Sequence, residues 1–313
     1  MSEKELLNKM KYLIKKKRPL EDICLELGMK EYEVFNFIEQ IQQQGYIIDY
    51  VNDCFTMRRG QRQKEVKFNM DGAIQSKLMF ISDTHLGSRF DRTDLLSEVY
   101  KQAEDLGITT ILHSGDLTDG FYPNRPHYDE ETKVMGWCQM LDYVLEKYPH
   151  SDTMKTLFIG GNHDFCFQRE FGRDIGEEIS KHREDLVYLG DDSAEVDYGQ
   201  TKIRLFHGSR RLGCAKDQKM RTYVESLPED KVPDILLMGH YHSAAYMKYK
   251  QTHCFQVPSI LDPTPYATRA GFINEKGVWI ANLTTNSEGD IIHLESELMD
   301  LNDQKRLVHK RQR

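Results

Sequence analysis

The stretch KLMFISDTHLG, residues 77–87, joins a short apolar run to a cluster of polar residues. Leu78–Ile81 has the length and composition of a buried strand, and Asp83 and His85 follow it directly. Side chains at the carboxyl ends of strands in an α/β sheet converge on one crevice. The stretch therefore predicts a strand that delivers a carboxylate and an imidazole to a functional site.

The same arrangement recurs four more times along the chain, each time at the end of an apolar run. The polar segments that follow these runs are Gly115–Asp119, Gly161–Asp164, His207–Gly208 and Gly239–His242. All of them offer carboxylate, imidazole or amide side chains. A single Asp-x-His or Gly-Asp turn is weak evidence for a functional site, since such turns are common. Five in this order indicate one composite site.

Amphipathic helical stretches separate these runs, which predicts an α/β domain. The predicted helices include Leu95–Leu106, Val134–Tyr148 and Ile175–His182. Later apolar runs follow one another without helices, which predicts that strands extend the sheet structure towards the C-terminus. These runs are Ala245–Tyr249, His253–Val257, Gly277–Leu283 and Ile291–Leu294.

The five polar segments together resemble the motifs of the calcineurin-like metallophosphoesterases. In order, these motifs are D-x-H, G-D, G-N-H-D/E, a strand-end His and G-H-x-H, and the resemblance spans about Lys77 to Leu294. It implies a calcineurin-like four-layer α/β/β/α sandwich, in which two sheets are flanked by helices. It also implies a metal-dependent phosphoesterase with two divalent metal ions between the sheets.

The resemblance further implies which side chains bind the two ions. One ion would be held by Asp83, His85, Asp116 and His242. The other would be held by Asp116, Asn162, His207 and His240, so that Asp116 bridges the pair.

The ligand chemistry agrees with this assignment, because it comprises carboxylate, imidazole and amide groups without a thiolate. We expect manganese, with iron, zinc, cobalt and nickel as alternatives. A bridged pair of such ions can activate water and bind the phosphoryl oxygens as charge develops.

His163 follows Asn162, which already fills the ligand position of its motif. We therefore expect His163 to act as a general acid that protonates the leaving oxygen. Asp164 is expected to hydrogen-bond to its imidazole and raise its pKa. His85 is expected to assist the same proton transfer in addition to binding metal.

The first sixty residues form a separate predicted unit of three helices and a hairpin, the plan of a winged helix-turn-helix module. Its predicted third helix carries Glu31, Glu33 and Glu39, which disfavours contact with phosphates. Basic residues cluster instead at Lys15–Arg18 and at Arg58 and Arg59. Nucleic-acid binding and protein docking or homodimerisation through residues 1–60 both remain open.

The complete prediction has four segments: a winged-helix-like domain at 1–60, a linker at 61–76, the phosphoesterase domain at 77–300 and a basic tail at 301–313. The net charge is −8, with +2 in residues 1–70, +5 in the last ten residues and −15 in between. The acidic middle is a poor surface for polyanions unless bound cations invert the local field.

Composition and cysteine usage limit the class of protein. Hydrophobic residues make up 39% of the chain, enough for a core, and no apolar run is long enough to predict a membrane span. The six cysteines are scattered without a CxxC pair, which favours reduced thiols and a cytoplasmic location.

Two features bear on the substrate. Serine/threonine protein phosphatases of this family place arginines where the chain has Gly120 and Gly160. Residues 82–87 resemble the nuclease subunit of the double-strand-break repair complex, and residues 115–120 resemble the small subunit of archaeal D-family DNA polymerases. The insertion Phe121–Glu131 combines aromatic residues with Arg125 and His127, a composition that can stack bases.

We therefore predict a phosphodiesterase acting on DNA or RNA, most simply a nuclease. Further phosphate contacts are expected from Arg210, Arg211 and Arg269. One alternative is a phosphodiesterase or phosphatase of small molecules or nucleotides with a docking N-terminal domain. A second alternative is a nucleic-acid-binding subunit without catalytic activity.

Overall fold

The structure is a computed structural model of the whole chain. It describes residues 3–43, 46–51, 54–59, 74–125, 128–198, 201–208, 216–272, 274–286 and 290–302. The chain divides into two compact units, Met1–Asn69 and Met70–Arg313.

The first unit contains three helices followed by a hairpin. The helices are α1 (Glu3–Lys15), α2 (Leu20–Leu27) and α3 (Glu31–Gln43), and the antiparallel strands are β1 (Tyr46–Val51) and β2 (Cys54–Arg59). Gly28 ends α2 in the left-handed conformation, its N–H bonded to Cys24 O. Apolar residues from all three helices and both strands, among them Ile14, Ile23 and Phe55, form the core. The assignment of this unit as a winged helix stays a prediction.

The second unit contains seven α-helices, one 3₁₀ helix (Glu229–Lys231) and eleven strands among its described residues. The helices are α4 (Thr93–Asp105), α5 (Tyr128–Glu131), α6 (Trp137–Lys147), α7 (Phe165–Phe171), α8 (Ile175–His182), α9 (Lys216–Ser226) and α10 (Pro265–Arg269). The strands are β3 (Ile74–Ile81), β4 (Thr110–His113), β5 (Lys155–Phe158), β6 (Leu186–Tyr188), β7 (Ser193–Tyr198), β8 (Thr201–Phe206), β9 (Ile235–Met238), β10 (Ala245–Tyr249), β11 (Thr252–Gln256), β12 (Gly277–Thr285) and β13 (Ile291–Asp300).

These strands form two sheets. The first sheet has the order β13-β12-β3-β4-β5-β6, with β3 to β6 parallel, and the second has the order β10-β11-β9-β8-β7, with β8, β9 and β11 parallel. The strands that the sequence predicts to end in ligands are therefore neighbours: β3, β4 and β5 in one sheet, β8 and β9 in the other.

Alternation along the strands builds four layers, because successive side chains point to opposite faces. Leu78 and Phe80 of β3 belong to the core between the two sheets, which also contains Leu205 and Leu237. Met79 and Ile81 belong instead to the core beneath α4, α6, α7 and α8. On the outer face of the second sheet, α9 packs against residues of β9 and β11. The predicted α/β/β/α sandwich is confirmed.

The structure differs from the sequence prediction in local detail. The strand β3 begins at Ile74, inside the segment predicted to be a linker. The short helix α10 lies among the C-terminal strands, where the sequence indicates strands alone. Its N-cap residue, Thr264, accepts a hydrogen bond from Ala267 N, and Pro265 occupies the first turn. No helix in the described ranges is long and apolar enough to cross a membrane.

Candidate metal centre

Backbone hydrogen bonds bring the strand-end segments together. After β3 and β4, Asp83 N donates to Gly115 O at 3.0 Å, and His85 N donates to Asp116 O at 3.1 Å. The two sheets are joined at the same point, where His240 N donates to Asp83 Oδ2 at 2.9 Å. These hydrogen bonds hold the loops together around the side chains of the cluster.

Three overlapping groups of side chains place their ligand atoms within 4.8 Å of one another. The groups are Asp83, His85 and His242; His85, Asp116 and His163; and Asp116, His207 and His240. Asp116 is shared by two of them, as the motif resemblance implies for a bridging carboxylate. Asn162 lies beside this cluster, because the N–H of the following residue, His163, donates to Asp116 Oδ1 at 2.8 Å.

The backbone at these positions is strained. Seven described residues other than glycine have a positive φ, and five of them are predicted ligands: Asp83, His85, Asp116, His240 and His242. A left-handed conformation costs an L-residue about 1–2 kcal/mol. Such strain persists only where the surrounding structure imposes it, and it concentrates at functional sites.

Hydrogen bonds and charge orient two of the imidazoles. His207 Nδ1 donates to Ser114 O at 2.8 Å, so its Nε2 faces Asp116 Oδ2 at 3.1 Å. His85 Nδ1 faces Asp119 Oδ1 at 3.4 Å, which leaves its Nε2 directed at the other ligands. A carboxylate or carbonyl behind a histidine is the usual support for a metal ligand. The motifs leave Asp119 outside the predicted ligand sets, and the sequence did not single out Ser114.

Asn274 orients a third imidazole and was not predicted. Its Oδ1 lies 2.7 Å from His242 Nδ1, and its Nδ2 donates to Leu261 O at 2.7 Å. The second bond fixes the orientation of the amide, so His242 carries its proton on Nδ1 and presents Nε2 to the cluster. Asn274 is 32 residues from His242 in the chain. No local pattern in the sequence signals this contact.

The polar atoms at the centre fit a divalent cation. Asp83 Oδ1, Asn162 Oδ1 and His207 Nε2 are buried without a well-formed hydrogen bond. Close polar atoms nevertheless face two of them, because His207 Nε2 lies 3.1 Å from Asp116 Oδ2 and Asp83 Oδ1 lies 3.2 Å from His242 Nε2. The Nε2 atoms of His85 and His242 face each other at 3.2 Å. Buried polar atoms are ordinarily satisfied, and orphaned oxygen and nitrogen acceptors that converge suit metal ligation.

The electrostatics of the cluster favour bound positive charge. Burial lowers the pKa of His207, but the Asp116 carboxylate outweighs it and raises the pKa to about 9. Burial likewise lowers the pKa of His85, and Asp119, Asp83 and Asp116 raise it well above its ordinary value. The carboxylates that raise these pKa values attract any available cation, proton or metal.

His163 lies against the cluster, but its environment differs from the predicted one. Its Nδ1 lies 2.7 Å from Asp119 O, so the carbonyl oxygen orients the ring. The Asp164 carboxylate instead accepts hydrogen bonds from Leu117 N and from Thr118 N and Oγ1. The predicted contact between Asp164 and the imidazole is wrong, because Asp164 is turned to the loop after β4. Burial lowers the pKa of His163 to about 3, opposite to the expected direction.

The insertion at 121–131 packs most of its aromatic residues inward. Tyr128 is buried, and Phe121 packs against the core. Tyr122 Oη donates to Asn162 O at 2.7 Å, which ties the insertion to the centre. Arg269 ends α10, while His127, Arg210 and Arg211 lie outside the described residues.

The fold and the cluster together define a metal-dependent hydrolase of phosphate esters. A model of the calcineurin-like phosphoesterase superfamily domain matches residues 77–270. The chain therefore belongs to the calcineurin-like phosphoesterase superfamily.

The chain is similar to several solved structures at low sequence identity and low TM-score. A novel archaeal phosphodiesterase has a TM-score of 0.41 and 13% identity, over 71% of this chain and 99% of its own. Vps29 from Entamoeba histolytica with zinc has a TM-score of 0.34 and 13% identity, over 72% of this chain and 99% of its own. A putative 5′-nucleotidase from Staphylococcus aureus has a TM-score of 0.41 and 13% identity, over 74% of this chain and 55% of its own. No curated protein sequence matches the chain.

Proposed function

We propose that this phosphoesterase hydrolyses phosphodiester bonds in nucleic acid. The choice of a diester rests on the pairing of the centre's carboxylates, none of which has a lysine or arginine partner among the described residues. Within the described residues, the carboxylates of Asp83, Asp116 and Asp119 pair only with histidines. A Cβ atom at Gly120 would lie 2.7 Å from His163 O, so a larger side chain has no room there. A dianionic monoester would lack the bidentate arginine that such groups usually require.

The side chains that we assign to the metals are those predicted from the motifs. Asp83, His85, Asp116 and His242 would hold one ion, and Asp116, Asn162, His207 and His240 would hold the other. When bound, two divalent cations would supply Lewis-acid activation of water and of the phosphoryl oxygens. We propose manganese, because the donors are oxygen and imidazole nitrogen.

We assign His163 the proton transfer to the leaving oxygen. Its Nδ1–H is directed to Asp119 O, so Nε2 is the atom available to the substrate. A phosphate anion beside the ring favours the protonated imidazole, which offsets the effect of burial. Asp119 orients the ring, and Asp164 supports the loop that carries Asp116. His85 remains a ligand that lies against His163, with ring centroids 4.6 Å apart.

Nucleic acid is favoured over a small phosphodiester by the motif resemblances at residues 82–87 and 115–120. Phe165, two residues after His163, adds an apolar surface beside the centre, since it is 46% exposed. Exposed aromatic rings beside a phosphodiesterase site can stack bases.

We propose that the N-terminal unit adds affinity for nucleic acid through the turn between α1 and α2, where residues 15–18 are basic and exposed. One observation favours docking to protein instead. Leu25, Tyr32 and Phe35 are 76%, 60% and 40% exposed, and all three lie on α2 or α3. Exposed apolar side chains of this size are typical of protein interfaces.

A substrate panel with Mn²⁺ tests the proposed activity. It contains single- and double-stranded DNA and RNA, cyclic nucleotides, and p-nitrophenyl monoesters and diesters. We expect cleavage of at least one polynucleotide and of the diester, with little turnover of the monoester. Asp116→Asn is the inactive control, since it removes the shared carboxylate, and metal analysis should show loss of bound ions. Turnover of cyclic nucleotides without any polynucleotide cleavage would establish the small-molecule alternative instead.

A further inference from the structure

Tyr122 fixes one wall of the centre. Its hydroxyl donates to Asn162 O, and its ring meets the His163 ring edge-on with centroids 5.1 Å apart. The tyrosine therefore contacts a proposed ligand and the proposed proton donor at once.

Arg125 is stacked on this tyrosine. The guanidinium carbon lies 3.5 Å from the centre of the Tyr122 ring, and Arg125 N donates to Tyr122 O at 2.9 Å. Because the Tyr122 and His163 ring centres are 5.1 Å apart, the guanidinium of Arg125 also lies near the His163 ring. Stacking uses the face of a guanidinium and leaves its N–H edge free to bind an anion with two parallel hydrogen bonds.

The N–H edge of Arg125 is available. The residue is exposed, and no carboxylate in the described part of the chain lies within salt-bridge distance of it. Its neighbour Arg169 approaches the same ring at 5.8 Å but is paired with Glu170 at 2.9 Å. Arg125 is therefore a fixed, uncompensated positive charge beside a centre built from carboxylates.

We propose that Arg125 binds a second phosphate of the substrate, on the fragment that leaves from the His163 side. This inference rests on the proposed function. The scissile phosphate would be held at the metal centre, and Arg125 is stacked on the Tyr122 ring that contacts His163. A phosphodiester whose leaving nucleoside carries its own phosphate would bring a second anion to this side of the centre. The substrate class is then an oligonucleotide or an end-phosphorylated dinucleotide, with the additional phosphate on the leaving side.

Binding measurements test Arg125 without requiring turnover. Calorimetry on the Mn²⁺-loaded full chain would compare thymidine 3′,5′-bisphosphate with orthophosphate. We expect Arg125→Ala to lower the affinity for the bisphosphate about tenfold, because a charge-assisted hydrogen bond is lost. The affinity for orthophosphate should not change. Arg125→Lys should recover only part of the loss, because an ammonium cannot form the paired contact.

Arg173 provides the matched control. Its guanidinium is also stacked on an aromatic ring, 4.5 Å from that of Trp137, but this ring packs against Phe167 and Phe171 rather than against the centre. Arg173→Ala should bind both ligands as the unaltered protein does. Equal weakening of orthophosphate and bisphosphate by Arg125→Ala would show that Arg125 contacts the scissile phosphate, and unchanged binding of both would show that it only supports the loop. Either result overturns the proposal.

Cleavage of dinucleotides tests on which side of the scissile phosphate Arg125 binds the second phosphate. The unphosphorylated dinucleotide TpT is compared with its two end-phosphorylated forms, pTpT and TpTp. The terminal phosphate should raise kcat/KM only when it lies on the fragment released with the new hydroxyl, and Arg125→Ala should abolish this advantage. An advantage on the opposite fragment overturns the proposal. If neither a dinucleotide nor any polynucleotide of the substrate panel is cleaved, the nuclease assignment fails, while the calorimetry still decides the role of Arg125.

Discussion

His163 is held so that only one of its ring nitrogens can react. Asp119 O orients Nδ1, and the backbone N–H of His163 is bonded to Asp116 Oδ1. A neutral imidazole in this orientation has a bare Nε2, whereas the protonated ring can donate from it. Whether it serves the leaving group or the attacking water therefore depends on whether the negative charge of the bound phosphate stabilises the protonated ring.

The dependence on the leaving group separates these two roles. A nucleoside oxygen is a poor leaving group and needs a proton in the transition state, whereas p-nitrophenolate leaves without one. We expect His163→Ala to lower nucleic-acid cleavage by about 10²–10⁴-fold and diester hydrolysis much less. The measurement is kcat/KM for both substrates, together with the metal content of the variant.

Equal losses on both substrates with two ions still bound would contradict the general-acid role and assign His163 to the nucleophile or to phosphate binding. Asp164→Asn is the adjacent control. Because its carboxylate supports Leu117 and Thr118 rather than the ring, its effect should not depend on the leaving group.

Single residues also show where sequence reasoning ends. The proposed ligands could be predicted at the strand ends, because a carboxylate or imidazole after an apolar run is visible in the local sequence. The groups behind the ligands could not, since Asn274 reaches His242 across 32 residues and Ser114 acts through its backbone carbonyl. The role of Asp164 was misjudged for the same reason. Adjacency to His163 in sequence did not indicate the direction of its side chain.

At the level of strands and their loops, neighbouring loops pass so close to the turn after β4 that they limit which residues this turn can contain. Gly115 has φ +99°, and a Cβ atom there would collide with Gly160 O and with the His207 ring. Glycine thus allows the β4 loop to pass the loops after β5 and β8. The convergence of three strand ends depends on this missing side chain.

Substitution of Gly115 therefore tests the convergence. Gly115→Ala combines backbone strain with this collision and should displace His207 and lower the number of bound ions. Gly107→Ala is the matched control, because Gly107 also has a positive φ, +69°, but nothing within 4 Å of a Cβ atom. It should cost about 1 kcal/mol in the free energy of unfolding and keep both ions. Metal analysis and urea unfolding measure the two effects, and full metal loading in Gly115→Ala would contradict the argument.

The helices and strands could be predicted because apolar residues recur at different intervals in a helix and in a strand. Alternation in β3 assigns Leu78 and Phe80 to one core and Met79 and Ile81 to the other. The pairing of the C-terminal strands was not predictable, since β10 and β11 join the second sheet whereas β12 and β13 join the first. Short antiparallel strands carry no local signal for the sheet that they extend.

For the molecule as a whole, the charge distribution is the main constraint on a polyanionic substrate. Residues 71–303 carry a net charge of −15, whereas residues 1–70 carry +2 and the last ten residues carry +5. Metal ions and Arg125 can offset the acidic domain only locally, within a short distance set by screening. Affinity for a long strand therefore requires basic groups outside the centre, and the exposed turn at residues 15–18 supplies four of them.

Removing this charge should weaken binding without changing sequence preference. In the full chain, with metal chelated to prevent cleavage, Lys15/Lys16/Lys17→Ala should lower affinity uniformly across oligonucleotide sequences. The slope of log K against log salt should fall by about one for each lysine that contacts a phosphate. Replacing Lys101, Lys147 and Lys181, which are exposed in the second unit, changes the net charge equally and should have little effect. If both triple variants bind alike, the turn does not contact nucleic acid. A change of oligomeric state in Leu25→Ser would then assign the N-terminal unit to self-association through its exposed apolar face, because only a protein contact depends on that side chain.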